Sequence, residues 1–165
     1  MLGPEILSRL FAAHAAGLTL YASQWLERAA AEDVVHDVFL HLMDQDREPA
    51  SAKAWLYRSV RNAAVSAIRS QSRRRTHEKS AATTRPDWFV PGDDDAIDAA
   101  QAQQVLEALE KDQGEIVTLR IWAQMSFKEI AAIADLPLST VFDRYRTALD
   151  EIKRKLESPC PMNKT

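Results

Sequence analysis

The chain has 165 residues, 46% hydrophobic and 27% charged, with a single cysteine and a net charge of −3. One cysteine, Cys160, excludes a disulfide framework and a multi-thiolate zinc site. The longest stretch free of Lys, Arg, Asp and Glu runs from Leu10 to Leu26 and holds His14, Thr19, Ser23 and Gln24, too polar for a membrane span. No basic leader precedes a small-residue cleavage site, so a soluble, cytoplasmic protein with no membrane partner is expected.

The charges are sorted along the chain. Residues 1–46 carry net −5, residues 47–79 net +7, residues 80–115 net −7 and residues 116–165 net +2. The basic block is where a polyanion would bind, against the alternative of a solvated helix face.

Pro4 suits the first turn of a helix over about residues 4–28. Along it Leu7, Leu10, Phe11, His14, Leu18, Tyr21 and Trp25 recur at steps of three and four. A second helix is expected over Glu32–Asp44, with Val34, Val35, Val38, Phe39 and Leu42 as its apolar stripe. Pro49 and Ser51 open a third, over Ala52–Ser70, whose buried face would use Trp55, Leu56, Ser59, Val60, Ala63 and Ala67. Periodicity lapses from Thr76 to about Asp95, where Pro86, Pro91, Gly92 and the run Asp93, Asp94, Asp95 read as a linker. Val105, Leu106 and Leu109 mark a short helix, and Ile116, Val117, Leu119, Arg120 and Trp122 continue into another. No strand-like alternation and no repeat is found. The fold class expected is all-α, two small helical domains joined by an acidic tether.

Ser126-Phe-Lys-Glu129 spells a capping box, in which hydroxyl and carboxylate each satisfy an orphan backbone donor, with Met125 and Ile130 placed as a hydrophobic staple. A turn at Asp135-Leu-Pro-Leu138 follows, and Ser139 is expected to cap the next helix. Val141, Tyr145, Ala148, Leu149, Ile152 and Leu156 would line the inner face of that helix. Two capped helices about a short turn match a DNA-binding helix-turn-helix as well as a helical hairpin that only packs. At 100° per residue Asp143, Arg146, Thr147 and Asp150 point outward, with Phe142 and Arg144 at the flanks. Two carboxylates there make a poor seeker of phosphates.

The third helix combines Lys53, Arg58, Arg61, Asn62, Arg69, Arg73, Arg74 and Arg75 with Trp55 and Tyr57. Guanidinium groups neutralise phosphates, Asn reads base edges and aromatic rings hold unstacked bases, a combination suited to melted DNA. Trp55 lies on the apolar stripe and is expected in the core; Arg61 and Asn62 lie away from it.

Residues Ala31–Met43, the segment Ala54–Ala64 followed by Ile68-Arg69 and Arg73–Arg75, and the stretch Leu106–Leu156 together resemble the sigma-70 family of bacterial transcription initiation factors, in its minimal extracytoplasmic-function (group 4) form. The resemblance implies a region 2-like domain over 1–76, a linker over 77–96, a region 4-like domain over 97–157 and a tail over 158–165. It also implies the core RNA polymerase and promoter DNA as partners. Asp33, His36, Asp37, Leu40 and Met43 would meet the beta-prime clamp helices, and region 4 the beta flap. Lys53, Arg58, Arg61, Asn62, Arg69 and Arg73 would hold the minus-ten strand, and the loop Asp46–Ala52 a flipped base. Ser139, Thr140, Arg144 and Arg146 would face the minus-thirty-five element. The linker would run towards the RNA exit path, with Asp93 to Asp95 mimicking nucleic acid. An anti-sigma factor is a possible further partner.

The chain departs from the family at several positions. The family usually carries Lys or Arg where Phe142 stands, a small polar residue at Asp143 and often a base at Thr147; Ala52, Asp46 and His36 also differ. An unusual or weak upstream preference is therefore expected.

An enzyme is not expected, and neither catalytic residues, a metal nor a cofactor is assigned. His36-Asp37 and His41 evoke a metal-dependent phosphohydrolase, but His36 and His41 lie about 140° apart around a helix and cannot share an ion. A stand-alone helix-turn-helix regulator, with a sensing or dimerising N-terminal lobe, is the main alternative.

Overall fold

The computed structural model describes residues 2–75 and 104–157. The expected linker with Asp93–Asp95, and the tail with Cys160, lie outside the described residues. The chain divides into two compact units, Met1–Trp88 and Phe89–Thr165. The elements are all helical: α1 (Pro4–Ala22), α2 (Arg28–Met43) and α3 (Ala52–Arg75) in the first unit, and α4 (Lys111–Ile121), α5 (Phe127–Ala134) and α6 (Leu138–Glu157) in the second.

In the first unit each of the three helices packs against the other two. Leu18, Tyr21 and Ala22 of α1 meet Ala31, Val35, Val38, Phe39 and Leu42 of α2 and Leu56, Tyr57, Val60 and Ala64 of α3 in one core. A fully buried Leu or Val contributes roughly 1.5–3 kcal/mol of transfer free energy relative to exposure. Gly17 of α1 leaves room for the Tyr57 side chain of α3. A Cβ built there would lie 2.6 Å from Tyr57 Oη.

Three boundaries differ from the sequence reading. α1 stops at Ala22, not near residue 28, because the chain tightens there: after Ser23, whose N–H and hydroxyl both donate to the Thr19 carbonyl, the Gln24 and Trp25 N–H groups donate only three residues back, to the Tyr21 and Ala22 carbonyls, at 3.3 and 3.0 Å. Trp25 therefore follows the helix and packs edge-on against Tyr21, 5.0 Å between centroids. α2 begins at Arg28, one turn before Glu32, carried by good helix formers at Ala29, Ala30 and Ala31. An i,i+4 ion pair from Arg28 Nε to Glu32, 2.9 Å, ties that first turn. α3 runs to Arg75, past the expected Ser70.

Trp55 is a further correction. The centre of the buried face of α3 is rotated towards Tyr57 and Ala64, so Tyr57 is 2% exposed while Trp55 is only half-buried. Ser59, Ala63 and Ala67 border the core in the same half-buried class. Of the expected α1 stripe, Leu7, Leu10 and His14 are half-buried and Phe11 is exposed.

In the second unit α4 lies between α5, α6 and a helical turn at residues 104–108, and residues 113–119 are buried all round. Leu109, Val117 and Ala148 form a core cluster with Leu106, Tyr145 and Ile152 packed on it. Thr118 satisfies its buried hydroxyl on the Gly114 carbonyl at 2.8 Å.

Candidate nucleic-acid interface

The helix-turn-helix is framed by local chemistry. Ser126 Oγ accepts from the Glu129 backbone N–H at 3.2 Å, and Glu129 Oε2 accepts from the Ser126 backbone N–H at 2.8 Å, completing the capping box. Met125 and Ile130, both fully buried, form the staple. α5 ends where Asp135 adopts the left-handed conformation, φ 55°, which lets the chain reverse into α6. The Val141 N–H donates to the Pro137 carbonyl at 3.1 Å. Pro137 thus occupies the N-cap position, and Ser139 is an exposed residue of the first turn, not the cap.

On α6, Val141 and Ala148 are buried and Tyr145 and Ile152 half-buried, as the spacing requires. Leu149 and Leu156 were expected inside but are 39% and 61% exposed, because they sit at the edge of the inner stripe. Ser139, Phe142, Asp143, Arg146, Thr147 and Asp150 are exposed, and Thr140 is half-buried. Arg144 turns to the opposite flank, where Nη1 donates to Asp112 Oδ2 at 2.7 Å. That pair fastens α6 to the first turn of α4.

On α3, Arg58, Asn62, Arg69 and Arg73 are exposed and fall within about 60° of one line along the helix. The half-buried Trp55 lies at the edge of the same ridge. Arg61 is half-buried and takes part in an interaction of its own. Lys53 does not join the ridge. It lies on the α1 side, and burial first, then the Lys53 charge, hold the His14 imidazole below its ordinary pKa. Ser51 opens α3, its Oγ accepting from the Ala54 N–H at 3.3 Å and its carbonyl from the Trp55 N–H at 3.0 Å.

On α2, Asp33, His36, Asp37, Leu40 and Met43 are all exposed and share a face about 120° wide, opposite Val35, Val38 and Leu42. Leu40 is 58% exposed and Met43 43%, an apolar pair ringed by acids. Sequence reasoning missed the neighbouring contribution of α1. The exposed Phe11 meets Phe39 edge-on at 5.0 Å and the tilted His36 ring at 5.7 Å, widening this face. Its place in the periodic stripe concealed it.

The comparisons with known proteins follow the same division. The model for sigma-70 region 2 matches residues 10–74 and that for sigma-70 region 4 residues 99–152. The chain belongs to the sigma-70 family, in its extracytoplasmic-function group. It is 26% identical over 149 residues to the extracytoplasmic-function RNA polymerase sigma-E factor of Escherichia coli (strain K12), covering 82% of this chain and 78% of that one. It is 24% identical over 135 residues to the extracytoplasmic-function factor RpoE of Cereibacter sphaeroides, covering 76% and 70%. Its fold is similar to that of the sigma factor RpoE from Bartonella quintana, solved with the anti-sigma factor NepR: TM-score 0.78, 22% identity, covering 96% of this chain and all of that one. It is also similar to CnrH, solved with the cytosolic domain of CnrY: TM-score 0.64, 21% identity, covering 96% and 92%. As a sigma factor, the chain binds core RNA polymerase and promoter DNA and directs transcription initiation. Among the described residues, no helix is long and apolar enough to cross a membrane.

Proposed function

We propose that the two faces of the first unit divide the work of initiation. The α2 face of Asp33, His36, Asp37, Leu40 and Met43 docks on the beta-prime clamp helices, with Phe11 at its margin. The α3 ridge of Arg58, Asn62, Arg69 and Arg73, with Arg61 beside it, holds the melted minus-ten strand, and the loop from Asp46 to Ala52 receives a flipped base; Lys53, turned towards His14, takes no part in the ridge. The observation that carries this reading is the presence of both faces, one apolar and acidic, one basic, on a single three-helix core. Attraction between guanidinium groups and phosphates supplies affinity and salt dependence, while Asn62 and Trp55 supply contacts to unpaired bases.

In the second unit, Ser139, Thr140 and Arg146 approach the minus-thirty-five element, and Arg144 does so by exchanging Asp112 for a phosphate. This unit would also seat the beta flap. The domain limits follow as 1–76 and 97–157, with a linker over 77–96 leading towards the RNA exit path. The protein acts without catalytic chemistry of its own, in the cytoplasm where the polymerase works. An anti-sigma factor is a fitting further partner, since the Bartonella quintana RpoE was solved with the anti-sigma factor NepR, and CnrH with the cytosolic domain of CnrY.

Run-off transcription from a fragmented genomic library, with bacterial core polymerase and with or without the chain, tests the reading. Discrete new starts that disappear on Arg61→Ala with Asn62→Ala are expected. Tight, salt-sensitive duplex binding by the chain alone, with no new starts, would instead favour a stand-alone regulator.

A further inference from the structure

The exposed N-terminal end of α6 is aromatic where a DNA-reading helix ordinarily offers hydrogen-bond donors. Phe142 is 47% exposed and Leu138 53%. Together with Phe127, Lys128, Ser139 and Asp143 they line an open groove of about 540 Å³. The Phe142 ring is held in place: it meets Phe127 edge-on at 5.4 Å and 72°. Phe127 is itself fixed between Tyr145, at 5.1 Å, and the Arg120 guanidinium, 4.6 Å above its ring. Arg120 in turn donates to the Met125 carbonyl at 2.8 Å. An exposed aromatic supported through three further side chains keeps one orientation and loses little entropy on contact.

In a helix-turn-helix the N-terminal residues of the second helix face base edges in the major groove. The one apolar group displayed there is the thymine C5-methyl, and Phe is among the side chains that contact it. Cytosine carries only a hydrogen at C5, and the amino groups, O6 and N7 that the other bases display would be desolvated by an apolar groove without compensation.

We infer that Phe142, with Leu138 beside it, reads thymine methyl groups in the upstream promoter element. Lys128 and Arg146 border this contact and reach for phosphates. Asp143 repels phosphates and accepts from a cytosine amino group, so guanine is disfavoured opposite it. The upstream element is thereby selected by methyl contact and by exclusion, not by bidentate recognition of guanine. The inference rests on α6 being the promoter-facing helix, as in the proposed function.

The test uses the full chain assembled with core polymerase on a promoter taken from its own mapped starts, with the upstream contact located by footprinting. Thymines under that footprint are replaced by deoxyuridine, which lacks only the methyl. The expected result is about three- to fourfold weaker binding per methyl removed, the worth of one buried methyl-sized group. Phe142→Ala should bind the thymine and deoxyuridine promoters equally, and Phe142→Leu should restore part of the difference. Because the ring is half-exposed, neither variant is expected to disturb the fold, which circular dichroism checks. Indifference of the wild-type holoenzyme to deoxyuridine would overturn the inference and point to a protein in the groove. So would a methyl effect that survives intact in Phe142→Ala. Normal starts with no upstream footprint would also overturn it while leaving the initiation role standing; no starts at all would overturn both.

Discussion

Replacing Gly17 by alanine sets two effects against each other. Alanine in a helix interior is favoured over glycine by about 1 kcal/mol, and nothing about the α1 backbone opposes that gain. The new Cβ, however, would lie 2.6 Å from Tyr57 Oη, well inside van der Waals contact, while Tyr57 Cζ stands at an ordinary 3.9 Å. The Tyr57 ring is buried against Tyr21, 5.4 Å between centroids, so its hydroxyl cannot retreat without moving the core. Overpacking of this kind costs about 1–3 kcal/mol. The net expectation for Gly17→Ala is a loss of about 1 kcal/mol, or roughly 4–8 °C in Tm for a unit of this size. Deleting the hydroxyl should reverse the sign: in a Tyr57→Phe background the same alanine should stabilise by up to about 1 kcal/mol. A double-mutant cycle by urea titration, followed through Trp25 and Trp55 fluorescence, measures the difference, a coupling of about 2 kcal/mol. Stabilisation by Gly17→Ala alone, or an equal loss in both backgrounds, would refute the steric argument.

Burial raises the Tyr57 phenol to about 12, so above about pH 10 the unfolded chain ionises while the folded chain does not. Stability of the first unit should fall as pH rises from 10 through 12, and Tyr57→Phe should flatten that fall in urea titrations across the range. His14 shifts the other way: its neutral form is favoured on folding, chiefly by burial. Stability should therefore drop as pH falls below about 6.5, and His14→Gln should blunt the drop. Asp135→Gly should raise the stability of the second unit by about 0.5–1 kcal/mol, because glycine adopts φ 55° without the Cβ penalty; unchanged thermal unfolding would count against it. Arg146→Ala should weaken upstream binding and lower its salt dependence more than Arg144→Ala, whose guanidinium is already engaged with Asp112. Competition binding at two salt concentrations decides that order.

The all-helical architecture was legible because most of the helices carry a periodic apolar stripe, and the capping box could be read letter by letter since it lies within four consecutive residues. Errors arose where the signal was not periodic. α1 ends where the Gln24 and Trp25 N–H groups bond three residues back instead of four, a change that leaves the surrounding apolar spacing intact. The rotation of the α3 core towards Tyr57 follows from the space beside Gly17, a contact between helices about 40 residues apart in sequence that no local pattern records. Ser139 has the composition of a cap but lies two residues beyond the Pro137 carbonyl that fills the role. Among the candidate site residues, those of α2 were named through the family resemblance, and helical angles alone set Asn62 away from the apolar stripe of α3. The placement of Lys53 beside His14, and of Arg144 on Asp112, depends on tertiary neighbours.

The helix-turn-helix is framed by residues that turn away from solvent or bond within their own turn: Ser126 with Glu129 and Met125 with Ile130 where α5 begins, and Asp135 through its backbone where it ends. Of the residues offered to a duplex, Phe142 leans on Phe127 of α5, while Ser139, Asp143 and Arg146 stand exposed on the outer face and contribute little to that frame. Such a separation lets the reading head be rewritten at small thermodynamic risk. A lineage carrying this scaffold could change its regulon by substituting two or three outward side chains, with the hinge and its docking angle inherited unchanged.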